Sequence, residues 1–269
     1  MGIKGQLLVR GFDQWNGEVE FANANLLKKP DGYYLKVTAY IDKEKEKKQK
    51  NNGKEIGLDF GVKTTITTSE GEKIEVQVRE SDQVKKLERE LFKRVKGSNN
   101  RRQTIKKINK AYQKMKNKKQ DIANKFIHKM KEYDYVVFQD DDIHAWHSEE
   151  GIENKGKRRK VQHSCLGMIK ARLKAMDNSI VIAKFIPTTK FCRNCGSIKN
   201  DLKQEDRIYE CHCGHVENRD VHAAKNMVWI WKNAAKYFNK LPTEYREVTL
   251  MDWNIMFLGR SEKITSFKM

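Results

Sequence analysis

The chain has 269 residues, of which 55 are Lys or Arg and 36 are Asp or Glu, so its formal net charge is +19 and its pI is near 9.6. No apolar run reaches the ~18 residues of a membrane span, the start Met1-Gly2-Ile3-Lys4-Gly5-Gln6 lacks the apolar stretch of a signal peptide, and five Trp, nine Tyr and eleven Phe can fill a core. A membrane protein, a secreted disulfide scaffold and a wholly disordered chain are excluded; a cytoplasmic protein with a polyanionic partner is expected, built as one large domain or a medium domain with small additions.

Residues 4–41 read as strands, with Pro30-Asp31-Gly32 turning a hairpin between residues 18–27 and 33–41. Residues 42–54 are a polar, Lys-rich linker. Three strands follow, starting at Ile56-Gly57-Leu58-Asp59-Phe60-Gly61 and continuing through residues 64–68 and 73–78 around Ser69-Glu70-Gly71. They form an antiparallel meander. A long basic helical segment comes next, then a buried strand at residues 135–138 that ends in Gln139-Asp140-Asp141-Asp142. Residues 164–176 read as a helix, and 179–186 as a strand stopped by Pro187. Cysteine-containing loops lead to a final helix over residues 221–238, and residues 241–269 are a tail. Strands and helices share one sheet in this order, which suits an RNase H-like α/β layer.

The charge is concentrated. Residues 85–131 hold eighteen Lys or Arg against Glu88, Glu90 and Asp121, a net +15. Within them Ile105, Ile108, Tyr112, Met115, Ile122 and Phe126 recur at helical spacing, with a break near Gly97-Ser98-Asn99-Asn100. An amphipathic helical hairpin follows from that pattern. Its outward face carries Lys85, Lys86, Arg89, Lys93, Arg94, Arg101, Arg102, Lys106 and Lys107. Most charged helices are simply solvated, but they mix signs; a face of one sign releases counterions when it meets phosphates. A second basic cluster, Lys155-Gly156-Lys157-Arg158-Arg159-Lys160, is expected in a loop.

Cys192-Arg193-Asn194-Cys195-Gly196 and Cys211-His212-Cys213-Gly214 are two cysteine knuckles, Cys211 lying sixteen residues beyond Cys195. Paired knuckles at this separation read as a zinc ribbon with one Zn²⁺ held by Cys192, Cys195, Cys211 and Cys213, since soft thiolates bind zinc tetrahedrally at ~2.3 Å. The second knuckle has one residue between its cysteines rather than two. That leaves His212 or His215 as possible substitutes. Cys165 stands alone and reads as a helix-packing residue.

Carboxylates sit at chain positions that a sheet can bring together. Asp59 ends one strand, Asp140 to Asp142 end another, and Asp220 opens the last helix. Taken singly, they could cap a turn, start a loop and cap a helix. Taken together in a basic protein, they repel unless cations bridge them. Two Mg²⁺ ions would do so, and would clamp the attacking and leaving oxygens of a phosphodiester. Strand alternation puts Gln139 and Asp141 on one face and Asp140 and Asp142 on the other, which selects Asp141 as the second ligand.

These motifs resemble the TnpB family, transposon-encoded RNA-guided DNA nucleases related to the single-effector CRISPR nucleases. Gly57-Leu58-Asp59-Phe60-Gly61-Val62-Lys63 is similar to the first RuvC motif, and Val137-Phe138-Gln139-Asp140-Asp141-Asp142-Ile143 followed by Trp146-His147 to the second. Pro187 to Gly196 and Arg219-Asp220-Val221-His222-Ala223-Ala224-Lys225-Asn226 resemble the approach to the zinc ribbon and the third motif. The resemblance implies a RuvC fold with a zinc-ribbon insertion, a guide RNA from the transposon end, a double-stranded DNA target, and a prokaryotic, nucleoid-associated setting. It implies Asp59, Asp141 and Asp220 as catalytic Mg²⁺ ligands. The implied domains are a partial wedge-like β segment and linker (1–54), the first part of the nuclease (55–187) carrying the basic hairpin (81–131), the ribbon (188–219), the last part of the nuclease (220–240) and the tail (241–269). Two positions depart from the family pattern. Asp141 stands where Glu is usual, and Asn218 where Asp is usual. The segment before the first motif is short, as if only the end of a wedge were present. A nuclease is the first functional expectation, and a nuclease-impaired or truncated RNA-guided DNA-binding protein the second.

Overall fold

The computed structural model describes residues 8–11, 19–40, 52–61, 65–147, 155–203, 205–234 and 237. Residues 42–51 of the Lys-rich linker and the tail fall outside the described residues. The chain divides into two compact units: residues 1–49 with 80–117, and residues 50–79 with 118–269.

The first unit contains an antiparallel hairpin, β1 (Glu20–Lys29) and β2 (Gly32–Tyr40), in which Lys29 pairs with Gly32 so that Pro30 and Asp31 form the turn. Most of its side chains are exposed, with Tyr33 at 67%. Helix α1 (Asp82–Lys93) begins at Ser81, whose hydroxyl accepts from the Val84 amide. Helix α2 (Asn99–Met130) follows after a short turn in which Gly97 takes a positive φ of 84°. The helical hairpin expected from the basic segment is therefore present. The turn is closed by Arg101, whose guanidinium donates to the carbonyls of Leu91 at 2.8 Å and Arg94 at 3.3 Å. Asp31 accepts hydrogen bonds from Tyr34 and Asn117, which fixes the β-turn against α2. Ile108 and Met115 are buried as the helical spacing requires, but Ile105 and Tyr112 are each 38% exposed, so the apolar stripe is narrower than its sequence pattern.

The second unit is built on a five-stranded sheet in the order β5 (Lys73–Glu75), β4 (Thr65–Thr68), β3 (Glu55–Gly61), β6 (Tyr135–Gln139), β7 (Ser179–Ile182). The meander β3-β4-β5 is antiparallel, while β6 and β7 join parallel to β3. Alternation along β3 sorts its two faces. Ile56, Leu58 and Phe60 enter one core with Val136 and Phe138 of β6, the end of α2 and helix α4 (Leu166–Lys174). Gly57 and Asp59 look the other way, toward helix α5 (Arg219–Lys232), which packs its Met227 and Ile230 into a second core with Val137, Ile182 and Phe191. This mixed sheet covered by helices on both faces is an RNase H-like fold. Strands β8 (Ile208–Glu210) and β9 (Val216–Asn218) form a separate antiparallel pair in the cysteine region.

Two expectations need correction. The basic cluster at 155–160 is not a loop but the start of helix α3 (Lys155–His163). Strand β7 ends at Ile182 rather than running to Ile186, and Gln139 takes up the backbone carbonyls beyond it. On α5, Trp229 packs against Phe191 and Trp231 against Tyr135, at 5.6 Å and 4.7 Å between ring centroids.

Candidate active site

Gly57 explains how the last helix reaches the first strand. A Cβ at that position would lie 2.0 Å from the carbonyl oxygen of Ala224 and 3.0 Å from Val228, so only glycine admits α5 at this distance. From that contact Asp59 is two residues along the strand, about 6.8 Å. Asp220 is four residues back along the helix, about 6 Å. The two advances match, and they bring the carboxylates of both segments to the same end of the sheet.

The electrostatics report that meeting. Burial, followed by the negative charges of Asp220 and then Asp141, raises the Asp59 carboxyl to about 7, against the partial relief of Arg219 and Lys73. Asp141 is itself raised to about 6, chiefly by burial, with Lys170 opposing and Asp140 adding to the shift. Asp220 pairs with Lys73 at 3.5 Å and Arg219 at 3.7 Å. Asp59 thus senses the negative charge of both Asp220 and Asp141.

The run of three aspartates resolves into three roles. Burial works against ionised Asp140, but Lys170 at 2.6 Å and Lys174 at 2.7 Å hold its carboxyl below the ordinary range. Exposed Asp142 accepts from the amide of Ala145, beginning a 3-10 turn at Ala145–His147. Asp141 adds its negative charge to the field at Asp59, and its backbone carbonyl receives a hydrogen bond from Lys170. Gln139, just before them, is buried. Its amide donates to the carbonyls of Ala183 (3.0 Å), Lys184 (3.1 Å) and Ile186 (2.7 Å), and its oxygen accepts from Thr188 at 2.9 Å. The end of β6 is thereby pinned to the loop beyond β7.

Asp220 does not cap its helix. Asn218 does so, its side-chain oxygen accepting from the amides of Asp220 (3.2 Å) and Val221 (3.4 Å). Asp and Asn are equivalent as caps, so this departure from the family pattern leaves the helix start intact. Asp220 lies in the first turn, where the helix dipole favours its negative charge. The donors are hard carboxylate oxygens of the kind that Mg²⁺ takes; unlike the four cysteines, they do not all lie within 4.8 Å of one another.

The four cysteines converge. Cys192 and Cys213 have sulfurs 3.7 Å apart, Cys195 and Cys211 3.5 Å, and all four lie within 4.8 Å of one another. A tetrahedron of ~2.3 Å zinc–sulfur bonds has edges of about 3.8 Å, so the set fits Zn²⁺ without either histidine. Gly196 and Gly214, each with φ near 84°, turn the two knuckles and return amide hydrogen bonds to Cys192 and Cys211. Although burial opposes it, the Cys213 amide, the Ser197 hydroxyl and neighbouring thiols bring Cys211 down to about 5, so a thiolate is available at neutral pH.

His215 points instead to a second cluster with Glu217 and His222. Its donor atoms suit a metal, but two protein cations are already there. Arg193, inside the first knuckle, donates to Glu217 at 2.7 Å and to Asn226 at 3.3 Å, and lies 3.2 Å from His222 Nδ1. Lys225 reaches Glu217 at 2.6 Å. Against burial, these cations hold Glu217 at about 2. Burial above all lowers His222 to about 4, so it is neutral at physiological pH, and Tyr209 stacks on its ring at 3.8 Å. Asn226 donates to the carbonyls of Thr188 and Phe191, both at 2.7 Å. The cluster fastens the cysteine knuckles to the helix that carries Asp220. Sequence spacing placed His222 and Asn226 near Asp220 but gave no sign of Arg193 or Glu217 as their partners.

Of the basic residues singled out, Lys85, Lys86, Arg89, Lys93, Arg94, Arg102, Lys106 and Lys107 are exposed on α1, α2 and their turn. Lys85 pairs with Asp82 at 3.2 Å. Arg101 serves the hairpin turn, and Arg158 and Arg159 lie on α3.

Two family models match in tandem. One described as "Probable transposase" covers residues 38–140, and one described as "Cas12f1-like, TNB domain" covers residues 167–227. A "Putative RNA-guided DNA endonuclease" of Streptomyces pristinaespiralis is 25% identical over 182 residues, 64% of this chain and 44% of that protein. A "Putative transposase" of Paramecium bursaria Chlorella virus 1 is 46% identical over 44 residues, 16% of this chain and 10% of that protein. The chain therefore spans less than half the length of either relative. With the RNase H-like sheet and the four-cysteine cluster, these matches identify the chain as a member of the TnpB- and Cas12f1-like family of RuvC-type RNA-guided nucleases.

Proposed function

We propose that this protein is an RNA-guided DNA endonuclease of a transposon, cutting phosphodiesters between Asp59, Asp141 and Asp220. The observation that carries this reading is the close approach of β3 and α5 at Gly57, which brings Asp59 and Asp220 to one end of the sheet, with the negative charge of Asp141 also acting on Asp59. Two Mg²⁺ ions bound there would activate water and neutralise charge on the phosphate. Asp59, Asp141 and Asp220 hold the ions, Lys73 and Arg219 flank Asp220, and the knuckle contacts through Arg193 position the helix. Zn²⁺ on the four cysteines is structural. The basic faces of α1 and α2 bind nucleic acid, with a guide RNA from the transposon end and a double-stranded DNA target as partners in a prokaryotic cytoplasm. Residues 1–54 contribute a wedge-like β segment.

A second reading is supported by Asp141 itself. Its carboxylate sits about 1.5 Å short of where the usual Glu would reach, and misplacement by about 1 Å can lower a rate ~10²-fold. A nuclease-impaired, RNA-guided DNA binder would retain everything but the cut. The test is to purify the protein with its bound RNA, sequence that RNA, and incubate the complex with a matching duplex in Mg²⁺ beside an Asp59→Ala control. Cutting by the native chain alone supports the nuclease. A defined RNA without cutting supports the binder, and no defined RNA removes both.

A further inference from the structure

Lys73 lies in one row with Asp59. In the antiparallel meander Asp59 pairs with Thr67, and Thr67 pairs in turn with Lys73, so the three side chains stand on the same face of adjacent strands. Two strand spacings separate the lysine from Asp59 across the sheet, about 10 Å between backbones, and the threonine between them is buried. From the sheet edge the Lys73 ammonium crosses to α5 and meets Asp220 at 3.5 Å. Its charge also acts on Asp59. The acids nearest to it in sequence are engaged elsewhere: Glu72 accepts from Lys129 at 2.7 Å, and Glu75 pairs with Arg79 at 3.9 Å. Lys73 is thus directed at two of the proposed metal ligands, one on β3 and one on α5.

Asp220 has a second cation beside it, and the two are held differently. The Arg219 side chain is 17% exposed, and its guanidinium also donates to the Lys203 carbonyl at 3.1 Å. The Lys73 side chain is 48% exposed on the edge strand, and its ion pair is longer than a charge-assisted hydrogen bond. An ammonium on a flexible, half-solvated stem changes partners at small cost; a guanidinium fastened to a backbone carbonyl does not. A divalent cation arriving at Asp220 meets the like charge of Lys73 and competes with it for one carboxylate. We infer that Lys73 is an exchangeable counterion of the acidic site: it neutralises Asp220 and ties the start of α5 to the sheet edge when no divalent cation is bound, and it gives up that carboxylate when one binds. Lys73 is therefore a positioning residue that sets the divalent-ion concentration at which the site fills. The inference rests on the nuclease reading in one respect, that Asp220 is a metal ligand.

The test measures Mn²⁺ binding to the full chain, without nucleic acid, by the loss of the free-ion paramagnetic resonance signal. Lys73→Met removes the charge at an exposed position and keeps the fold. It should bind Mn²⁺ about fivefold more tightly than the native chain, a gain that a merely structural lysine would not produce. Lys73→Arg retains the charge and should stay within about twofold of the native affinity. In an Asp220→Asn background the gain from Lys73→Met should disappear, because the pair is already broken. Unchanged or weaker Mn²⁺ binding by Lys73→Met, or an equal gain in the Asp220→Asn background, overturns the proposal. Binding that is weakened by Asp220→Asn yet indifferent to Lys73→Met removes this inference alone. Tighter binding by Lys73→Met in a chain that cuts no DNA upholds it and removes the nuclease reading instead.

Discussion

Asp59 is held in a protonation state that an isolated carboxylate would not choose. In the unfolded chain it ionises near the ordinary aspartate value of about 3.9, whereas in the fold burial, Asp220 and Asp141 raise it to about 7. Between those values the folded state binds the additional proton, so stability falls as pH rises. Calorimetry of the metal-free protein should show its melting temperature declining from about pH 5 to about pH 8, with millimolar Mg²⁺ restoring it. Asp59→Asn should melt ~3 °C higher than the native chain at the upper pH and lose the response to Mg²⁺. Asp141 raises a different question, because its length rather than its charge departs from the family pattern. Asp141→Glu should increase cutting by up to ~10²-fold in single-turnover assays, and an unchanged or lower rate would show that the surrounding groove has adapted to the shorter acid. Motif and alternation select Asp141 over Asp140 and Asp142 in the sequence, and the Asp141→Glu assay tests that selection. They could not reveal Gln139, whose partners lie more than forty residues away and are backbone carbonyls without any residue signature.

At the level of elements, the contact between β3 and α5 determines where the site can be. Gly57→Ala would drive a methyl group into the Ala224 carbonyl. The expected cost is at least ~2 kcal/mol, visible as a melting temperature lower by about 5 °C, together with weakened Mg²⁺ stabilisation because Asp220 moves with its helix. The knuckles brace the other end of that arrangement. Cys192→Ser should reduce bound zinc, measured by elemental analysis, from one equivalent per chain to a small fraction, and should loosen Arg193 from Glu217. Undiminished zinc would exclude Cys192 as a ligand. The strands and helices of the nuclease unit were readable from alternation and helical spacing, and the cysteines from their pairing. The end of β7 was not, because Ile180, Val181 and Ile182 continue into Ala183 and Ile186 with strand-like composition. What ends the strand is a side chain from its neighbour. The loop expected at 155–160 failed for a related reason: six residues crowded with charge carry no amphipathic signal, although lysine and arginine are good helix formers.

At the scale of the whole chain, the mixed sheet and its covering helix α5 carry the three proposed acids, and most of the surplus positive charge lies in residues 85–131. Composition raised the expectation of a polyanionic partner, and the ordered motifs announced the family. Neither could say whether the acids meet. Manganese binding, followed by the loss of the free Mn²⁺ paramagnetic resonance signal, tests that meeting most directly, since it needs neither guide nor target. The native chain should bind Mn²⁺ in competition with Mg²⁺, and Asp59→Asn and Asp220→Asn should each weaken binding at least about tenfold while remaining folded. Equal affinity in the native chain and both variants would contradict the account, because it would mean that β3 and α5 do not share a metal.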